Sequence, residues 1–210
     1  MKEFIREACV EGFDQALKAQ LLGADRIELC ARLDLDGLTP NKETIVQAVS
    51  QLTIPIRVMV RLRGGDFHYS SEEIKQMLET IRFCRTLGVE GVVFGTLNHE
   101  NEVDLALTNQ LVEAAGSLKT VFHRAIESTS DIARSVDLLN KETDISAILV
   151  SGTGGGKASD HVPELQDLIH CFGERELVVC GKVTDQNVEQ LHQEIGAKAY
   201  HGKLIVGNLI

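Results

Sequence analysis

Cys9 and Cys30 each stand two residues after a glutamate, Glu7 and Glu28, inside short runs of apolar and β-branched residues. Residues i and i+2 of a strand face the same side, so each run offers a carboxylate and a thiol to one face. Two such thiols on neighbouring strands can share a soft ion, and Cu(I) suits a thiolate-only pair. Two small buried residues filling a core layer are the alternative. Arg61 and Arg63 end a third run and carry forks that match a carboxylate or a phosphate. His123 closes another run; its ring suits general acid or base work near neutrality, or simply a hydrogen-bonded core position. Ser151 and His201 sit at the ends of two more.

Two motif matches fall short. Ser151 to Ala158 reads SGTGGGKA, which lacks the first Gly and the final Ser/Thr of a phosphate-binding P-loop. It remains a Gly-rich loop whose N–H groups can cup an anion, or a mobile lid. Gly64-Gly65-Asp66-Phe67 resembles a cyclic-dinucleotide signature but follows a strand and lacks the next acidic residue. The five cysteines (Cys9, Cys30, Cys84, Cys171, Cys180) form no CxxC pair, which disfavours a zinc ribbon, a thioredoxin motif and a disulfide scaffold.

The elements that must hold these residues repeat along the whole chain. Short β-branched runs at 4–10, 26–30, 56–62, 91–95, 119–123, 147–151, 177–181 and 199–202 read as strands. Amphipathic stretches at 14–23, 41–52, 71–88, 104–115, 131–142, 161–172 and 185–195 read as helices. Ser70 before Ser71-Glu72-Glu73 opens one helix and Gly88 stops it. Eight strands joined by helical crossovers imply an all-parallel sheet. With no GxGxxG after the first strand, the α/β (β/α)8 barrel is favoured over an open doubly wound sheet. The eighth helix is short or missing, a gap to be covered by a partner subunit, hence the expectation of a homo-oligomer, or by a longer native C-terminus. One domain spans 1–210.

Strand parity then sorts the side chains. Ile27 and Leu29 face the helices, sending Glu28 and Cys30 inward. Ile56, Val58, Val60 and Leu62 face outward, sending Met59, Arg61 and Arg63 towards the axis or its mouth. Polar inward positions gather at the C-terminal strand ends, the face where barrel chemistry resides. They form a site for a small anionic molecule, or an ion network in which Glu7 and Glu28 neutralise Arg61 and Arg63.

Composition narrows the partners. The chain has 21 basic and 31 acidic residues, a net charge of −10, and 43% hydrophobic residues. An acidic chain with no basic cluster argues against nucleic acid and anionic membrane surfaces. There is no transmembrane run and no secretory h-region, so a reduced, cytoplasmic protein is expected.

The motifs resemble one family. Gly23-Ala24-Asp25-Arg26-Ile27-Glu28-Leu29-Cys30 followed by Gly37-Leu38-Thr39-Pro40, then Arg61 to Ser70 (RLRGGDFHYS), Gly91 to Leu97 and Phe122-His123-Arg124-Ala125, are similar in type and order to the CutC copper-homeostasis family. The resemblance covers most of residues 7–203. It implies a cytoplasmic (β/α)8 barrel, often oligomeric, associated with copper tolerance, with Cys9 and Cys30 as Cu(I) ligands. The competing expectation is a lyase- or isomerase-like barrel enzyme. Glu28 and His123 would transfer protons, and Glu7, Arg61, Arg63, Asp66, Ser151 and His201 would line the ligand.

Overall fold

The computed structural model describes residues 3–210. Eight parallel strands close into a barrel in sequential order: β1 (Ile5–Glu11), β2 (Arg26–Cys30), β3 (Ile56–Met59), β4 (Gly91–Phe94), β5 (Lys119–Phe122), β6 (Ala147–Val150), β7 (Glu176–Val179) and β8 (Ala199–Gly202). Seven helices alternate with them: α1 (Gly12–Leu21), α2 (Lys42–Gln51), α3 (Ser71–Leu87), α4 (Leu105–Ala115), α5 (Ile132–Glu142), α6 (Val162–Phe172) and α7 (Val188–Ile195). None is long and apolar enough to cross a membrane.

Local chemistry sets most boundaries. Ser70 and Glu73 form a reciprocal capping box at α3, which ends where Gly88 turns left-handed at φ 70°. The side chains of Asn41, Asp104 and Asp131 cap α2, α4 and α5 by accepting from the first-turn N–H groups. Strand β3 is shorter than its sequence pattern predicts. Past Met59 the chain leaves the ladder, and residues 60–70 form a loop.

Strand parity divides the core into two layers. Ile27, Leu29, Ile56, Val58, Val92, Phe94 and Tyr200 pack outward against the helices. Cys9, Cys30, Met59, Val93, Val121, Ala147, Leu149, Val178, Cys180 and Ala199 fill the barrel itself. After β8 the chain forms no further helix. Leu204 instead bridges back to Thr184, Ile205 and Leu209 are buried in the outer layer, and Lys18 on α1 donates to the Ile210 carbonyl.

Candidate functional site

The barrel interior carries charge in vertical order. At the N-terminal end, Arg26 on β2 and Arg57 on β3 point inward and are buried. Arg26 is forked by Glu176 at 2.8 and 3.2 Å and donates through Nε to Glu7. Arg57 reaches Glu7 at 3.2 Å, Glu176 at 2.9 Å and Glu90 at 2.7 Å. Each buried guanidinium is thus matched to carboxylates, which offsets the cost of removing it from water. Burial alone would raise the Glu7 carboxyl. The Arg26 and Arg57 charges and the hydrogen bond with His201 outweigh it and hold Glu7 well below the usual carboxylate range.

One step higher, His201 stands between two glutamates. Its Nδ1 lies 2.8 Å from Glu7 Oε1, and its Nε2 lies 3.6 Å from Glu28 Oε2. Burial opposes the charge on this ring, but Glu28, Cys9 and the Glu7 hydrogen bond raise its pKa well above the ordinary histidine value. Burial pushes Glu28 up to about 8 despite His201, with Cys9 and Glu7 adding to the rise. Two carboxylates on adjacent strands therefore behave oppositely: one has guanidinium partners and the other does not.

Cys9 and Cys30 lie above this pair. The β1–β2 register sets Cys9 opposite Glu28 and Cys30 opposite Glu11, so Cys30 lies diagonally across from Cys9. The sulfurs still converge, at 3.4 Å and 3.5 Å from the same Glu28 Oε2. One ligand atom from each of Cys9, Glu28 and Cys30 falls within a 4.8 Å group, and Glu7, Glu28 and His201 form a second such group. The hydrogen bond with Cys30 is the main cause that draws the Cys9 thiol well below its usual range, against the effect of burial. The same contact, aided by burial, pushes Cys30 well above. The remaining interior thiol, Cys180, is raised by burial to about 12. All five cysteines are free.

Cys9, Glu28 and His201 form the floor of a cavity of about 500 Å3 at the C-terminal mouth. Arg61, Phe67, His123, Arg124, Glu127, Leu149 and the Gly154-Gly155 backbone rise around it, with Asp36 and Lys203 at the rim. Arg124 pairs with Glu127 at 2.7 Å, and Glu127 also accepts from the Ser151 N–H at 2.7 Å and hydroxyl at 2.9 Å. The buried side-chain atoms without a hydrogen-bond partner include Glu28 Oε1, Arg61 Nε and His123 Nε2, each on a residue that lines this cavity.

The structure brings Glu28, Arg61, His123, His201 and Cys9 to the cavity wall, with Cys30 beside Cys9 and Glu7 beneath His201. It does not bring Arg63, Asp66 or Ser151 there. Arg63 lies on the loop after β3, where Glu73 at 2.6 Å and Asp66 at 2.9 Å turn its fork towards the start of α3. Ser151 is buried and spent on Glu127. The ion network that sequence suggested between Glu7, Glu28, Arg61 and Arg63 does not form. Glu7 is neutralised by Arg26 and Arg57 instead, which share the inward parity of Glu28 and Met59 and were readable on that ground. Phe67 comes from a loop, and Arg124 and Glu127 from a 3-10 turn (Arg124–Ser128) after β5, where strand parity gives no guide.

The sequence profile of the CutC family matches residues 4–206. A CutC family protein of Mesorhizobium japonicum is 41% identical over 196 residues, 93% of this chain and 75% of the relative. The human protein named copper homeostasis protein cutC homolog is 34% identical over 199 residues, 94% of this chain and 72% of the relative. Among solved structures, CutC from Streptococcus agalactiae superposes with a TM-score of 0.89 at 31% identity, covering 96% of this chain and 99% of that one. Phosphoribosyl anthranilate isomerase from Thermococcus kodakaraensis reaches a TM-score of 0.61 at 16% identity, covering 94% and 87% of the two chains, a likeness of fold alone.

Proposed function

This chain belongs to the CutC family, and on that premise we propose that it serves copper homeostasis in the cytoplasm by holding Cu(I) as cargo between Cys9 and Cys30. The observation that carries this reading is the convergence of both sulfurs on Glu28 inside the barrel. The donor chemistry fits the ion. Two soft sulfurs suit Cu(I), whereas Zn(II) asks for four ligands in a tetrahedron. Cys9 is disposed to ionise and Cys30 is not, so loading would displace the Cys30 proton. Both cysteines are buried, Cys9 at the cavity floor and Cys30 beside it, a position that would shield the ion from solvent while leaving the mouth as its entry path. Free thiols throughout accord with a reducing compartment.

The test is a competition titration of reduced protein against a chromogenic Cu(I) chelator. One ion per chain is expected, with loss of binding in Cys9→Ser and in Cys30→Ser and retention in Cys84→Ser and Cys171→Ser. Binding that survives in the Cys9→Ser, Cys30→Ser double variant, or none in the wild type, would overturn the assignment.

A further inference from the structure

Arg61 differs from the other two buried arginines. Arg26 and Arg57 are each matched to carboxylates, whereas Arg61, 5% exposed, has no carboxylate at ion-pair distance among the described residues. Its Nη atoms donate to the carbonyls of Leu35 at 3.0 Å and Gly65 at 3.1 Å, and its guanidinium lies 4.9 Å over the Phe67 ring. These contacts fix the group and leave its charge uncompensated. Its Nε–H has no partner.

His123 lies against the same Phe67, with ring centroids 5.1 Å apart. Its Nδ1 accepts from the Ala125 N–H at 3.2 Å. Burial first, then the Arg61 charge, hold the ring neutral by lowering its pKa to about 3. The proton of the neutral ring is therefore on Nε2, which is buried and unpartnered. Gly95 makes room for this arrangement: a Cβ there would fall 2.3 Å from His123 Nδ1. Two fixed donor groups, Arg61 Nε–H and His123 Nε2–H, thus belong to residues of one cavity wall and have no acceptor within the protein. A buried polar group without a partner is costly, and an uncompensated buried cation more so.

We propose that the barrel mouth binds a small organic anion, a carboxylate or a phosphate ester of metabolite size, whose oxyanion is held by the Arg61 Nε–H and the His123 Nε2–H. The anion neutralises Arg61 and satisfies both orphaned donors. The volume of about 500 Å3 lies in the usual range for metabolite sites, roughly 300–1,000 Å3. At the entrance Glu127 offsets Arg124 and Asp36 offsets Lys203 in sign, which leaves Arg61 as the cation of the lining without an acidic counterpart. This site lies above the thiols and uses none of the groups proposed for copper.

The test is calorimetric titration of reduced, metal-free protein with three probes: malate, 3-phosphoglycerate and inorganic phosphate. Saturable one-to-one binding of at least one is expected. Binding of malate alone identifies a carboxylate ligand, and binding of 3-phosphoglycerate above inorganic phosphate identifies a phosphate ester. Arg61→Gln and His123→Phe should each raise the dissociation constant at least about tenfold, as loss of one charged or oriented hydrogen bond implies. If Arg61→Gln fails to fold, His123→Phe, which keeps the ring, decides alone. Cys84→Ser, on α3 and outside the cavity lining, should bind the anion as wild type does, and the use of metal-free protein separates the outcome from the copper reading. No saturable binding of any probe, or binding unchanged in His123→Phe, would overturn the proposal.

Discussion

Glu7 and His201 stand opposite one another where the first and last strands meet, with His201 Nδ1 2.8 Å from Glu7 Oε1. The seam that closes the barrel is thus also the point where its basal ion network joins the polar groups of the mouth. Below it, Arg26 and Arg57 are paired with Glu7, Glu90 and Glu176. Above it, Glu28, Arg61 and His123 each keep one unpartnered atom.

That division sets the first prediction. Arg57→Ala leaves Glu7, Glu90 and Glu176 short of a cation inside the barrel, and should cost roughly 3–5 kcal/mol. Arg63→Ala removes a half-exposed pair on a loop and should cost about 1 kcal/mol or less. Urea denaturation of the two variants checks this, and equal losses would contradict the distinction between the buried network and the loop pair.

Glu28→Gln should behave unlike Glu7→Gln. Glu28 contacts two thiols and has no guanidinium partner, and one oxygen is unsatisfied, so near about pH 4, where the carboxyl is protonated in the fold, a neutral isostere should hold stability within about 1 kcal/mol of wild type. Its pKa is raised to about 8 in the fold. Between an unfolded value of about 4.3 and 8, the folded state binds more protons, and this contribution to stability is lost as pH rises. Glu28→Gln, which does not titrate, should therefore gain on wild type across that window in melts run at stepped pH.

His123 carries the opposite sign. It is neutral in the fold down to about pH 3 but takes a proton below about 6.5 when unfolded. The unfolded state then binds the extra proton, so this residue's contribution falls as pH drops from about 6.5, by at most about 1.4 kcal/mol per pH unit. The difference in stability between wild type and His123→Phe should follow that slope between pH 6.5 and 5, where surface carboxylates remain ionised. A pH-independent difference would show that the folded ring is charged.

Gly95→Ala tests the seat of His123. The added methyl would meet His123 Nδ1 at 2.3 Å and Ala125 Cβ at 2.9 Å, so one of them must move. Overpacking of this kind costs about 1–3 kcal/mol. The variant should melt earlier and bind the anionic probes more weakly, while its Cu(I) titration remains as in wild type.

The sequence by itself determined the alternation of strands and helices, the all-parallel barrel, and the inward direction of Glu28, Cys30 and Met59. These are consequences of periods 2 and 3.6 within short segments, together with capping residues such as Ser70 and Asp131. Parity states which face a residue takes; it does not state height. Height comes from the register of each strand on its neighbour, and the stagger accumulates around a closed barrel until the last strand meets the first. Only that closure set Glu28 opposite Cys9 and Arg57, and Glu7 opposite Arg26 and His201. It therefore decided that Arg26 and Arg57 neutralise Glu7. The course of the loop after β3 decided the rest. Glu73 and Asp66 draw Arg63 away from the mouth, while the carbonyls of Leu35 and Gly65 hold Arg61 at its wall. Both arginines have the same parity, and only the hydrogen-bond partners that tertiary structure supplied distinguish a surface ion pair from an uncompensated cation facing a cavity.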